Sequence, residues 1–248
     1  MIWRVALLLL WASGAEASGV VSLNLCTDQY LVLLAPGRIA ALSPLARDPS
    51  LSVVAAEAAR LPWVRADAEA VLSLQPDLVL AAAWGAQPTL AALEARGVRV
   101  VRGALPEDFA GIRAETTRMA ALLGVEARGA ALLAQMDAVL AGIPARARGP
   151  ALALAPRGYT AGSGSLAGSV LAAAGFTNAG DGRRQDLETL LTHPPALLVV
   201  SAAPDFPSLA TDFLRHPALR PLPTLRIPPA LLACGGPWTA DAAVLLAG

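Results

Sequence analysis

The stretch VEARGAALLAQMDAVL, residues 125–140, decides how the rest of the chain is read. It holds no proline and one internal glycine, Gly129, and its Ala, Leu, Gln, Met and Glu residues lose little on entering a helix. Pro144 sets a stop soon after it. At about 1.5 Å per residue it makes a rod of roughly 24 Å. Glu126, Arg128, Gln135 and Asp137 are its polar residues, so the pattern predicts a helix covered by protein around most of its circumference.

Short apolar strands alternate with helices on both sides of this rod. Before it, the pattern predicts strands at residues 20–25, 38–42, 78–82 and 98–102, and helices at 26–34, 53–60, 67–74, 88–96 and 109–123. After it come strands at 152–154, 196–201 and 224–227, and helices at 166–174, 185–191, 208–215 and 241–247. Such alternation predicts parallel sheets covered on both faces. The expected fold class is α/β: two small lobes with mainly parallel sheets, joined by a single long helix, with a ligand cleft between them. Residues 18–124 make the first lobe, 125–143 the linking helix and 144–248 the second lobe.

A repeat supports two lobes. Residues 69–80 read EAVLSLQPDLVL and residues 188–200 read ETLLTHPPALLVV. Glu69 aligns with Glu188, Leu72 with Leu191, Pro76 with Pro195 and Leu78 with Leu197, without a gap. Each copy is a helix, a proline stop and a buried strand, because proline lacks a donor and clashes with the preceding turn.

The 19 basic residues are all Arg and balance 19 acidic ones. Zero net charge argues against a nucleic-acid partner. The absence of Lys excludes Schiff-base chemistry and a P-loop lysine. Residues 1–17 read as a cleavable signal peptide: Arg4 in a short positive region, an apolar run at 5–11, and Ala15-Glu16-Ala17 as the cleavage site. Leu25 before Cys26 does not suit a lipoprotein site, so the expected product is a soluble, exported, periplasmic monomer. Cys26 and Cys234 lie 208 positions apart; an oxidising compartment lets them pair, and a bridge, free thiols and a thiolate metal site all stay open.

The catalytic inventory is thin. His193 and His216 both precede prolines and have no ligand-spaced partner, and no zincin, C-x-x-C, nucleophile-elbow or P-loop motif occurs. The sequence predicts no catalytic residue, no metal site and no cofactor. The glycine-rich loop with Gly162, Ser163, Gly164 and Ser165 brings backbone N–H groups to a helix start, which suits an anionic or carbonyl-bearing ligand. The alternative reading is an exported α/β enzyme that holds a phosphorylated or nucleotide substrate there. Unusual residues gather at the predicted strand-to-helix turns, the edge where parallel sheets bind ligands. In the first lobe these are Asn24, Cys26, Arg47, Trp63, Arg65 and Trp84; in the second, Tyr159, Thr160, Ser163, Cys234 and Trp238. Facing edges would put Trp and Tyr contact area and Arg charge across one cleft.

Several segments resemble the periplasmic binding proteins of ABC importers for vitamin B12, ferric siderophores and haem. They are residues 20–49, AVLSLQPDLVLAAAW at 70–84, GYTAGSGSLAGSVLAAAGFTN at 158–178, HPAL at 216–219 and CGGPWTADAAVLLA at 234–247. The resemblance implies a rigid strut, small lobe movements, and a bulky metal chelate captured in the cleft and passed to an inner-membrane ABC permease. A corrinoid such as cobalamin is expected ahead of a ferric siderophore, and haem third, with Tyr159 as the evident iron ligand. Trp84 and the TAGSGS loop match positions that contact the corrinoid. The resemblance also implies one exposed acid per lobe for permease docking. The matching first-lobe position falls near Gln87, so Glu94 is expected to substitute, with Asp205 or Asp212 on the second lobe.

Overall fold

The structure is a computed structural model that describes residues 19–201 and 212–248. The signal peptide at 1–17, Asp205 and the start of the helix expected at 208–215 lie outside the described residues. In the first lobe the chain runs β1 (Val20–Ser22), α1 (Leu25–Leu34), β2 (Ile39–Ala41), α2 (Ala55–Ala58), α3 (Ala68–Ser73), β3 (Leu78–Ala81), α4 (Gln87–Glu94) and β4 (Val100–Arg102). Two long helices follow, α5 (Phe109–Leu123) and α6 (Glu126–Ala141). The second series is β5 (Pro150–Leu154), α7 (Leu166–Ala173), β6 (Thr177–Asn178), α8 (Leu187–Thr192), β7 (Leu197–Ser201), β8 (Thr224–Ile227) and α9 (Ala240–Ala247).

Each lobe holds a four-stranded parallel sheet, ordered β2-β1-β3-β4 and β6-β5-β7-β8. The fold is α/β, as the sequence predicts. The two orders are the same once renumbered, and the repeat falls on equivalent elements. Asp67 caps α3 by accepting from Ala70 N–H at 2.9 Å, and Asp186 caps α8 by accepting from Thr189 N–H at 2.7 Å. Pro76 and Pro195 then release the chain into β3 and β7, the inner strands that pair on both sides. Edge strand β6, two residues long, was too short to show in the pattern. Of the helix expected at 208–215, the described part is a 3-10 turn at Phe213–Arg215.

The strut corrects one expectation. Helix α6 buries only Gly129 and Met136, with Val125, Leu132, Leu133, Val139 and Leu140 half-buried. One narrow stripe meets protein and the rest faces solvent, because alanines stabilise a helix without needing burial. Helices α5 and α6 form a hairpin turned at Gly124, whose φ of 68° is left-handed. Gly129 lets them close: a Cβ there would stand 2.4 Å from Ala120 Cβ. Arg113 and Asp137 pair across the hairpin.

After β8 the chain leaves the second lobe and enters the first. Cys234 (1% exposed) and Trp238 (8%) lie in the core cluster that holds Tyr30, Leu31 and Leu80. Cys234 forms a disulfide with Cys26, with Cα atoms 5.3 Å apart. Tyr30 Oη donates to Gly235 C=O at 3.2 Å, and its ring lies 5.4 Å from that of Trp238. Helix α9 then returns to pack Ala242, Ala243 and Leu246 in the second core. A division of the chain at residue 144 puts this segment in the second lobe, yet its side chains fill the first.

Candidate functional site

The C-terminal ends of the two sheets meet over a shared floor. Cys26 follows β1, and its partner Cys234 follows β8. Pro106, beyond β4, abuts Gly235 so closely that a Cβ on the glycine would sit 2.9 Å from the proline ring. Leu231, also beyond β8, packs against both cores. Ligands of parallel α/β sheets bind at such edges.

The first-lobe wall is built on buried polar bonds. Asn24 Oδ1 caps α1 by accepting from Cys26 N–H at 2.9 Å, which fixes the start of the helix. Asp28, fully buried in the first turn, accepts from Ser43 N–H at 3.1 Å and from Ser43 Oγ at 2.5 Å. Burial pushes its carboxyl up to about 7, against hydrogen bonds from Ser22 and Ser43. This bond fixes the turn after β2 that carries Arg47. Arg47 Nη2 donates to Leu61 C=O at 2.5 Å, and the guanidinium stands 5.7 Å over the Trp63 ring, a cation–π pair. Trp63 is held beside β2 by a parallel bridge to Leu42. Arg65 is exposed on the same segment. Trp84 sits between β3 and α4, before the left-handed pair Gly85 (φ 85°) and Ala86 (φ 51°). A non-glycine residue at positive φ is strained, and here the strained turn presents Trp84 70% exposed. Beyond β4, Ala104 N–H donates to buried Glu115 at 3.0 Å, and Arg118 holds both carboxylate oxygens at 2.7 Å.

The second-lobe wall rests on close backbone contacts. Arg157 (φ 62°) and Gly158 (φ 82°) turn the chain after β5, and a Cβ on Gly158 would meet Gln185 C=O at 2.7 Å. The turn leaves Tyr159 52% exposed. Thr160 is buried, and its hydroxyl donates to Arg183 C=O at 2.9 Å, which holds the loop together. Ser163 is exposed. Ser165 Oγ donates to Gly162 C=O at 2.6 Å and accepts from Gly168 N–H at 3.1 Å. A Cβ on Gly168 would stand 2.5 Å from Gly162 C=O. The glycine-rich loop is therefore a helix cap pressed against the start of α7, where Ser165 takes up the Gly168 N–H. A hollow of about 220 Å³ opens beside it, lined by Ala155, Pro156, Thr160, Ser201 and Leu232 among others.

The disulfide between Cys26 and Cys234 removes the thiolate metal site, and Trp238 is a core residue whose ring is tilted against that of Tyr30. Arg47, Trp63, Arg65, Trp84, Tyr159 and Ser163 stay at the edges. Of the proposed docking acids, Glu94 pairs with Arg102 at 3.0 Å on the surface, and Asp212 is exposed. Leu45 and Leu105, exposed at the same edges, escaped the sequence reading, though both follow strands.

Among curated proteins, none matches the chain. Solved structures do. The periplasmic heme-binding protein RhuT from Roseiflexus sp. RS-1, in apo form, is 24% identical with a TM-score of 0.71, over 93% of this chain and 98% of that one. The periplasmic heme-binding protein BhuT, in complex with two hemes, is 25% identical with a TM-score of 0.67, over 92% and 96%. The vitamin B12 binding protein BtuF of Vibrio cholerae is 17% identical with a TM-score of 0.67, over 93% and 95%. The sequence profile of the periplasmic binding proteins matches residues 20–226, both sheets and the strut between them, and the chain belongs to that family.

Proposed function

We propose that the protein is the extracytoplasmic receptor of an ABC importer, capturing a metal tetrapyrrole between its lobes and delivering it to an inner-membrane permease. One observation carries the reading. Among the described residues, the exposed aromatic side chains are Trp63, Trp84 and Tyr159, and all three lie at the C-terminal edges of the sheets. Flat apolar faces left in water at a ligand-binding edge fit a flat macrocycle. Arg47 beside Trp63 and exposed Arg65 suit the carboxylates of such a ligand. The sequence preference for a corrinoid gives way to haem on this ground. Haem carries two carboxylates, Tyr159 supplies an exposed phenol for iron, and the structures named for haem are more similar in sequence than the one named for vitamin B12. A ferric siderophore comes third. The reading includes export by the segment at 1–17 and a monomeric receptor, with Glu94 and Asp212 facing the permease.

The test is titration of the chain from Ser18 onward with haemin, cyanocobalamin and a ferric hydroxamate, followed by absorbance and calorimetry. Haemin is expected to bind with a shifted Soret band. Tyr159→Phe should change that band, and Trp84→Ala should weaken binding roughly tenfold, about 1.4 kcal/mol. Binding of cyanocobalamin alone would restore the corrinoid, and binding of none would end the tetrapyrrole reading.

A further inference from the structure

The lobes are joined by more than the strut. From Pro228 the chain departs β8 in the second sheet, embeds Cys234 and Trp238 in the first core, and returns as α9 to the second. It forms a hook whose ends belong to one lobe and whose tip belongs to the other. Four independent contacts hold the tip. They are the Cys26–Cys234 bond, the Tyr30 hydrogen bond to Gly235, the Tyr30–Trp238 ring contact, and the fit of Gly235 against Pro106. The anchor is rigid: α1 begins at its Asn24 cap and buries Tyr30, Leu31 and Leu34. Cys26 lies in the first turn of α1, just past the loop that leaves β1, at the edge that forms the cleft floor.

A body attached to another at one helix can swing in several directions; a second fixed attachment leaves one axis of rotation. We propose that the Cys26–Cys234 disulfide is a positioning element of the ligand cleft. It acts as a spacer that fixes the separation of the two sheet edges at the floor and confines lobe movement to a rocking about the strut and the hook. The inference rests on the receptor reading given above. Its consequence is kinetic: a cleft held near its bound width spares the ligand the work of drawing the lobes together, and so lengthens residence.

The experiment compares three states of the chain from Ser18 onward: oxidised, reduced by a phosphine, and carrying Cys26→Ser with Cys234→Ser. Thiol titration and far-UV circular dichroism establish bond and fold, and small-angle scattering reads lobe separation. Haemin dissociation is followed by stopped flow. With helix content unchanged, breaking the bond is expected to broaden the scattering-derived distance distribution and to speed dissociation roughly tenfold, with a smaller change in association. Identical scattering and identical dissociation in the oxidised and reduced protein would overturn the proposal. So would loss of helix signal on reduction, since the bond would then serve the fold and not the spacing. If the double variant fails to fold, the reduced wild-type protein carries the comparison. If haemin does not bind the oxidised protein, the ligand reading fails, while the scattering comparison still decides the spacer.

Discussion

The two lobes share a strand order and a capped helix-proline-strand unit, yet they build their ligand-facing edges by different means. The first lobe wires its edge with buried polar groups: Asp28 to Ser43, Gln29 to the Val53 amide, and Glu115 to Ala104 and Arg118. The second also uses side-chain bonds at Thr160, Ser165 and Asn178, but sets them among glycines too close to neighbouring backbone to accept a side chain, such as Gly168 and Gly180. One topology therefore supports two ways of holding a loop still. Hydrogen bonds fix direction and carry a penalty when broken, whereas close packing fixes distance and fails when volume is added.

Substitutions at each edge test this contrast. The largest effect is expected from Gly168→Val, where the added carbons collide with Gly162 C=O. A loss of about 3 kcal/mol in urea unfolding is expected, together with loss of ligand binding. Survival of this variant at full stability would remove close packing as the principle of the second lobe. Glu115→Ala in the first lobe leaves the Ala104 amide without its acceptor and Arg118 with Arg102 C=O as its remaining oxygen acceptor, and should cost about 2 kcal/mol by the same assay, with Glu115→Gln milder.

Asp28 gives a smaller, pH-dependent effect. Its folded value of about 7 lies above the ordinary 3.8, so the native state favours the protonated acid. That contribution is full below about pH 4 and is lost as the pH rises through 7. Asp28→Asn should therefore stabilise the protein at pH 8 relative to wild type by roughly 1 kcal/mol, with little gain at pH 4. Equal gains at both values would show that ionisation of Asp28 is not what the fold opposes. The smallest change in stability, within about 0.5 kcal/mol, is expected for Trp84→Ala, whose ring is already in water, although its ligand affinity should fall.

Much of this was legible in the sequence because it is written in neighbours. Helix α5 and strand β8 have the boundaries the pattern predicts, since a cap, a glycine and a run of apolar residues act within a few positions. The repeat located equivalent strands in the two sheets for the same reason. Trp84 could be placed at an edge because it directly follows a strand. Trp238 could not. It too stands in a turn rich in Gly and Pro, and only the path of the hook decides that it faces Tyr30 and not the cleft.

Local backbone preference and hydrophobic period were enough for the alternation, the duplicated lobe and the strut. Tertiary structure decided the rest. It joined Cys26 to Cys234 across 208 positions, left most of α6 in solvent, turned the glycine-rich loop into a cap, and buried Trp238 against Tyr30. These depend on which surfaces meet after the chain has crossed between lobes. No short-range pattern encodes the path of that crossing, because the partners are brought together by packing and not by spacing along the chain.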